Sequence, residues 1–386
     1  MPNDKHLVLV AGYDYLGFGA TDFRKPCLNR SLRLIKQDPS LKYTLFDIRS
    51  GIVTLNKPDS NGKRVEETLK TFDKVTTANY SIINIDGGTH IAFNKKQSGV
   101  MSVVDVYKYI QEIGKDNPGS VNELSFFSHG YPTGPVLVNS YEFENEPSKR
   151  AGTEERDPND KDCRFKDFEP KNMKPNDLKS LRNAFGKNAI IWSWGCNFGK
   201  FVHLILDQLM ASPMMKGTNG DKLGTIPESY QFSFTFDKRV AELYFESDTK
   251  FFPQKDRDGN YKEDVKYKGN NIIFSREYNV IKPFFRNVLK DTFFALISRK
   301  LNIRCYAPFL GTYATFQEHD TSVKLPLMIV PRKVPPYGDN FSKKIKFYTK
   351  ALNLMEDPEG LGYGIYGIYQ TLLSDKLNPF SIQHRI

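Results

Sequence analysis

Two residues in this sequence carry side chains suited to covalent acyl chemistry, His129 and Cys196. A thiolate attacks carbonyl carbon, and a nearby imidazole can take the thiol proton and later hand it to a leaving group. Each residue closes a short apolar run. Residues 123–127 (ELSFF) lead into Ser128-His129-Gly130, and residues 188–194 (NAIIWSW) lead into Gly195-Cys196. Both have a glycine neighbour, which lets the backbone turn sharply and lets another chain approach closely. A helix expected over 198–210 starts just past the thiol. The partial positive charge of a helix N-terminus favours a thiolate, and free N–H groups at such a turn can stabilise an oxyanion.

The elements that must hold this pair follow from the hydrophobic pattern. Residues 6–12 (HLVLVAG) form a continuous apolar run ended by glycine, as a central strand covered on both faces requires. A helix opened by Pro26 covers 27–36, with Leu28, Leu32 and Ile35 on one face. Strands follow at 43–48 and 81–85, and 52–55 pairs with the first as a hairpin. Ser102 with Asp105 has near capping-box spacing, opening a helix to about residue 113 with Val103, Val106, Tyr107, Ile110 and Ile113 inward. The strand before His129 comes next, then a hairpin around Gly134-Pro135. A helix at 175–185, the strand before Cys196 and the helix after it complete the series. Alternating strands and helices argue for a mostly parallel sheet with helices on both faces. Ligands of such sheets bind outside the carboxyl ends of the strands, where both candidate residues fall.

The remainder is less regular. Residues 142–169 are polar and acidic, reading as a charged loop insert that could gate access between the two candidate residues. Residues 213–230 read as loop, and 254–271 as a mobile insert. One long helix is expected over 283–300, then a strand at 303–307, a turn at 308–311 and a helix at 343–354. The domain expectation is a core of residues 1–212 plus about 283–330, an insert at 213–282, and a C-terminal basic extension at 331–386.

Composition bounds the alternatives. With 386 residues, 39% hydrophobic and 13% aromatic, the chain is too rich in core-forming side chains to be disordered. The net charge of +10 is concentrated locally: residues 250–304 hold thirteen Lys/Arg against six Asp/Glu, and 324–350 hold seven against one. Such a surface suits nucleic acid or an acidic partner, or is simply a solvated face. The four cysteines, Cys27, Cys163, Cys196 and Cys305, are scattered without a CxxC pair. Neither a disulfide framework nor structural zinc is therefore expected; no metal and no cofactor is assigned. The run 7–11 is too short for a signal-peptide core and no stretch spans a membrane. The expected location is cytoplasmic, or outside the cell by export without a cleaved signal peptide.

The phrase LSFFSHG (124–130) resembles the hydrophobic-strand–His–Gly motif of the clan CD cysteine peptidases: caspases, legumains, gingipains and clostripain. The phrase IIWSWGCNFG (190–199) resembles their nucleophile motif, including the C-x-x-G of Cys196 to Gly199, and the order His before Cys also matches. The resemblance covers roughly residues 1–212, with an echo at 303–312. It implies a three-layer α/β domain of the caspase–hemoglobinase type, with a mostly parallel central sheet, that hydrolyses a protein or peptide substrate. Cys196 would be the nucleophile, His129 the general acid/base, and the backbone N–H groups of Gly130 and Cys196 the oxyanion hole. Trp192 and Trp194 depart from the pattern, standing where these families usually have aliphatic residues.

Three other readings compete. One retains the fold without activity. Another is an α/β-hydrolase with a cysteine nucleophile. It wants G-x-C-x-G, but Trp194 and Phe198 occupy the flanking positions, and its histidine would be His203, His319 (beside Asp320) or His384. The third is a nucleic-acid or acidic-partner binder using interleaved aromatics and cations such as Lys266-Tyr267-Lys268 and Lys346-Phe347-Tyr348. Gly17-Phe18-Gly19-Ala20 does not complete a dinucleotide fingerprint, and the loop 86–90 reads as a plain turn.

Overall fold

Local sequence chemistry accounts for most elements of the first half of the chain. These are β1 (His6–Ala11), α1 (Arg24–Gln37), β2 (Lys42–Asp47), β3 (Ile52–Pro58), β4 (Arg64–Thr71), the hairpin β5 (Tyr80–Ile85) and β6 (Gly88–Phe93), and α2 (Val103–Asp116). Next come β7 (Val121–Phe127), the small hairpin β8 (His129–Tyr131) and β9 (Gly134–Val136), α3 (Pro175–Ala184), β10 (Phe185–Ser193) and α4 (Lys200–Ala211). The capping box forms as expected: the Ser102 N–H donates to Asp105 Oδ2 at 2.9 Å, satisfying a free donor at the start of α2. The computed structural model describes residues 5–366 except 18, 86–87, 95–98, 141–154, 198–199, 246–250, 264, 321–322 and 332–340.

The second half contributes β11 (Gln231–Asp237), α5 (Lys238–Phe245), β12 (Lys266–Lys268), β13 (Asn271–Glu277), α6 (Tyr278–Lys290), α7 (Phe293–Leu301) and β14 (Arg304–Pro308). The hairpin β15 (Thr315–Asp320) and β16 (Leu325–Ile329), then α8 (Phe341–Lys346) and β17 (Tyr363–Tyr366), follow.

The fold is mixed α/β around one eight-stranded sheet, ordered β17-β14-β10-β7-β1-β2-β3-β4. Its five middle strands, β14, β10, β7, β1 and β2, are mutually parallel, while β3, β4 and β17 join antiparallel at the edges. Every residue of β1 is buried, which explains its unbroken apolar run. Full burial of each of Leu7, Val8, Leu9 and Val10 contributes about 2 kcal/mol. Helices cover both faces. Arg30 of α1 reaches Glu123 of β7 on one face, and Tyr109 of α2 packs on Phe46 and bonds Thr44 of β2 on the other.

Several expectations need correction. The inward face of α1 is Cys27, Arg30 and Ser31, while Leu32 is 40% exposed. Of the expected apolar face, Leu28 and Ile35 are partly buried against the core and Leu32 is not, and a buried ion pair between Arg30 and Glu123 joins the helix to the sheet. The segment 283–300 is two helices. Pro283 lies inside the first, and Thr292 caps the second by accepting from the Ala295 N–H at 3.3 Å. The described part of the 142–169 insert, from residue 155, is not a plain surface loop: Asp160, Asp162 and Asp167 are buried. Arg164 Nε pairs with Asp160 at 2.5 Å, and Arg156 pairs with Asp167. Residues 141–154 lie outside the described residues. The expected insert at 254–271 supplies β12 to a three-stranded antiparallel sheet, β11-β13-β12, over a phenylalanine-rich core. The C-terminal extension supplies β17, an edge strand of the main sheet.

Candidate active site

Because β1, β7, β10 and β14 run parallel, their carboxyl ends lie along one edge, and the chain following each emerges there. His129 follows β7 and Cys196 follows β10, so the two loops meet. Their glycines are required by that meeting. A Cβ on Gly130 would lie 2.6 Å from the Cys196 carbonyl oxygen, and one on Gly195 would lie 2.5 Å from the Ser128 oxygen and 3.1 Å from the His129 carbonyl carbon. The structure thus brings the backbones of Ser128-His129-Gly130 and Gly195-Cys196 into contact across 64 intervening residues.

The imidazole is held from three directions. His129 Nε2 lies 2.7 Å from Asp14 Oδ1. Tyr15 and Phe23 pack edge-on against the ring at centroid distances of 4.8 and 5.4 Å. Asp14 stands just beyond β1, in the glycine-containing loop that follows it. Its carboxylate also accepts the N–H of Gly17 at 3.0 Å and of Thr21 at 2.9 Å. Burial alone would push this carboxyl up. The hydrogen bonds from His129, Gly17 and Thr21 outweigh it and hold Asp14 well below the usual carboxylate range. An ionised carboxylate only accepts, so Nε2 carries the proton and Nδ1 is left as the ring nitrogen able to exchange a proton with another group.

Asp14 has no motif that marks it in the sequence. Its one clue is position, at the carboxyl end of a central strand, and its partner is 115 residues away.

Of the four cysteines, Cys27, Cys163 and Cys305 are buried and Cys196 alone reaches the surface. Burial of the side chain nevertheless pushes the Cys196 thiol up to about 11. Its contact is the Ala314 carbonyl, to which Sγ donates at 4.0 Å. Ala314 belongs to the chain that leaves β14 and turns into β15. That chain is tied beside the thiol by Asn197 N–H to Thr312 O at 3.1 Å and Gly311 N–H to Asn197 O at 2.9 Å. No hydrogen bond joins His129 to Cys196 among the described residues. The thiol at rest is therefore protonated and partly covered by the chain's own carbonyl.

Two backbone donors lie at this junction. In the β8–β9 ladder Gly130 stands opposite Pro135, which has no N–H, so the exchanged hydrogen bonds fall to its neighbours and the Gly130 N–H points away from β9. The Cys196 N–H has no acceptor among the described residues. Comparison with protein-family models, curated proteins and solved structures found no match.

The other residues singled out by sequence lie elsewhere. The helix after the thiol begins at Lys200, two positions later than expected, and residues 198–199 fall outside the described residues. His203 sits on α4, with Nε2 2.9 Å from Asp207 and Nδ1 3.0 Å from Lys344. The side chains of His319 and Asp320, and all of His384, lie outside the described residues, as do residues 86–87 of the loop 86–90. Trp192 and Trp194 are fully buried and stacked at 4.5 Å, packed on Tyr306, Tyr363 and Phe127. They are core, not pocket lining. Among the described residues, no group of three His, Cys, Asp or Glu is placed to hold a metal ion, and no helix is long and apolar enough to cross a membrane.

Proposed function

We propose that the protein is a cysteine-dependent hydrolase, an endopeptidase of the caspase–hemoglobinase type, in which Cys196 is the nucleophile and His129 the general acid/base. The observation that carries this reading is the Asp14–His129 pair: a carboxylate fixes the imidazole tautomer on the very loop whose backbone abuts Cys196. An orienter, a base and a nucleophile on three parallel strand ends form the arrangement that thiol acyl transfer needs.

In the proposed reaction the thiol proton passes to Nδ1 of His129 as sulfur attacks the scissile carbonyl carbon. The tetrahedral oxyanion takes hydrogen bonds from the N–H groups of Gly130 and Cys196. The C–N bond then breaks, Nδ1–H protonates the departing amine, and the acyl group remains on sulfur as a thioester. A water molecule, deprotonated by His129, hydrolyses it. Asp14 stays ionised throughout and stabilises the imidazolium. The high thiol pKa means that substrate must displace the Ala314 contact and bring imidazole and sulfur together before attack.

That same protonated, covered thiol favours a second reading, an inactive protein that retains the fold. Hydrolysis of a fluorogenic peptide library, with iodoacetamide alkylation of Cys196 followed by mass spectrometry, separates the two. The hydrolase reading expects turnover that Cys196→Ala abolishes, and alkylation that slows by about tenfold or more in His129→Ala. An alkylation rate that is indifferent to His129, with no turnover, would leave the inactive reading.

A further inference from the structure

Beyond Asp14 the same edge of the sheet opens into a cleft of ≈ 670 Å³ at the carboxyl ends of β1 and β2. Three cations line it: Arg24 at the start of α1, Arg49 just after β2, and Lys74. All three are exposed, and among the described residues none has a carboxylate within 4 Å of its charged nitrogens. The two carboxylates on the lining are committed to local turns. Asp47 accepts the Ser50 hydroxyl at 2.7 Å, and Asp22 accepts the Arg24 backbone N–H at 3.1 Å. Among the described residues, the guanidinium of Arg49 donates to the Gly19 carbonyl at 3.0 Å, which holds it at the cleft without neutralising it. Three cations against two carboxylates leave the lining with a net charge of +1, and because the cations form no ion pair among the described residues an incoming anion can engage them directly.

Its place relative to the thiol says which anion. Across the sheet the order is β10, β7, β1, β2, so the thiol, the imidazole, Asp14 and the cationic cleft succeed one another in that direction. Sulfur keeps the acyl half of a substrate, and the imidazole protonates the amine that leaves. The leaving half therefore extends past His129 toward the cleft. Three strand spacings of about 4.8 Å give about 14 Å, or about four residues of extended chain at 3.3 Å each. Leu16, next in sequence to Tyr15, and Tyr131, whose hydroxyl lies 3.3 Å from that of Tyr15, are exposed apolar surface on the way.

We infer that the cleft bounded by Arg24, Arg49 and Lys74 binds acidic side chains of a polypeptide substrate about four residues beyond the scissile bond, on the leaving-group side. This rests on the hydrolase reading for its direction but not for its charge. The test has two arms that fail separately. In the first, rhodamine-labelled (Glu)6 and (Gln)6 peptides are titrated into Cys196→Ala protein by fluorescence anisotropy. (Glu)6 is expected to bind at least about tenfold tighter, with Arg49→Glu or Lys74→Glu removing that advantage. Lys266→Glu with Lys268→Glu, on the basic strand β12, is expected to leave it intact. Equal binding of both peptides, or loss only in the β12 variant, would overturn the inference.

In the second arm, bromoacetyl-(Glu)6 and bromoacetyl-(Gln)6 are reacted with the wild-type protein. The Cys196 sulfur bonds to the methylene carbon, bromide leaves, and the thiol proton goes to solvent. The peptide then runs C-terminal from sulfur, as a leaving half would. Faster alkylation by the acidic reagent, lost in Arg49→Glu, supports the assignment. Binding without alkylation removes the hydrolase reading and leaves the acidic-peptide site standing. Alkylation without charge dependence does the reverse.

Discussion

The polar group buried on β7 and the polar residues just past the ends of β7 and β10 have opposite characters. Inside the sheet, Glu123 accepts from Arg30 Nε at 2.9 Å, from Arg30 Nη2 at 2.8 Å and from the Ser125 hydroxyl at 2.6 Å. Trp194 Nε1–H donates to that same serine oxygen at 3.1 Å. Arg30 also bonds Glu359 at 2.6 Å and lies over the rings of Trp192 and Trp194 at 5.5 and 5.4 Å. Desolvation works against the guanidinium, but Glu123 and Glu359 more than offset it and hold Arg30 charged. At the carboxyl ends of the same strands and among the described residues, His129 Nδ1 and the Cys196 N–H have no hydrogen-bond partner, and the hydrogen bond of the thiol is to a carbonyl at 4.0 Å. The interior group spends its hydrogen-bonding capacity on holding α1 to the sheet. The rim keeps capacity in reserve, which a substrate can use.

That contrast can be broken by mutation, starting with the largest effect. Asp14→Asn should cost about 10³–10⁴-fold in kcat/KM with little change in melting temperature. The amide can donate to Nε2 and so drive the proton onto Nδ1, the nitrogen that must accept. Steady-state kinetics beside a thermal melt reads both; a comparable fall in stability would make Asp14 structural like Glu123. Glu123→Ala should lower stability by about 3–5 kcal/mol, because Arg30 is left buried with half its partners gone. Denaturant unfolding measures this, and alkylation of Cys196 per folded molecule should stay unchanged.

A smaller effect concerns pH. With the thiol at about 11, the rate of Cys196 alkylation in the free protein should climb about tenfold per unit from pH 7 to 10 and level off near 11. The sign for stability follows. The folded thiol ionises later than the unfolded one, so folding loses stability as pH rises from the ordinary thiol range toward 11. A plateau near pH 7 would instead mean an ion pair with His129 already formed. Smallest of all, Leu32→Ala should change stability by less than about 0.5 kcal/mol, since Leu32 is the exposed member of the apolar series on α1.

Much of the frame was legible because parallel strands buried on both faces leave unbroken apolar runs, and because helix starts depend on neighbours in sequence. Residues 6–11, 121–127 and 185–193 are strands, and Ser102 with Asp105 caps α2. The proposed dyad was legible for the same reason: a His-Gly and a Gly-Cys closing such runs fall on one edge of a parallel sheet. Charges misled. Asp162 looks like a solvated loop residue in sequence, yet it is buried and its carboxylate accepts the N–H groups of Leu137 at 2.6 Å, Val138 at 2.8 Å and Ser140 at 2.6 Å. Nothing near it in sequence announces partners more than twenty residues away.

By itself, then, the sequence determined the elements whose causes are local or periodic, and with them the meeting of the His129 and Cys196 loops at one sheet edge. Tertiary structure decided the rest. It selected Asp14 as the partner of His129, turned Arg30 rather than Leu32 inward, added β17 to the far edge, and laid the Ala314 carbonyl against the thiol. The physical reason is common to all four. A buried charge or a strand edge is satisfied by whatever group the folded chain brings within hydrogen-bonding distance, and that group has no fixed spacing along the sequence.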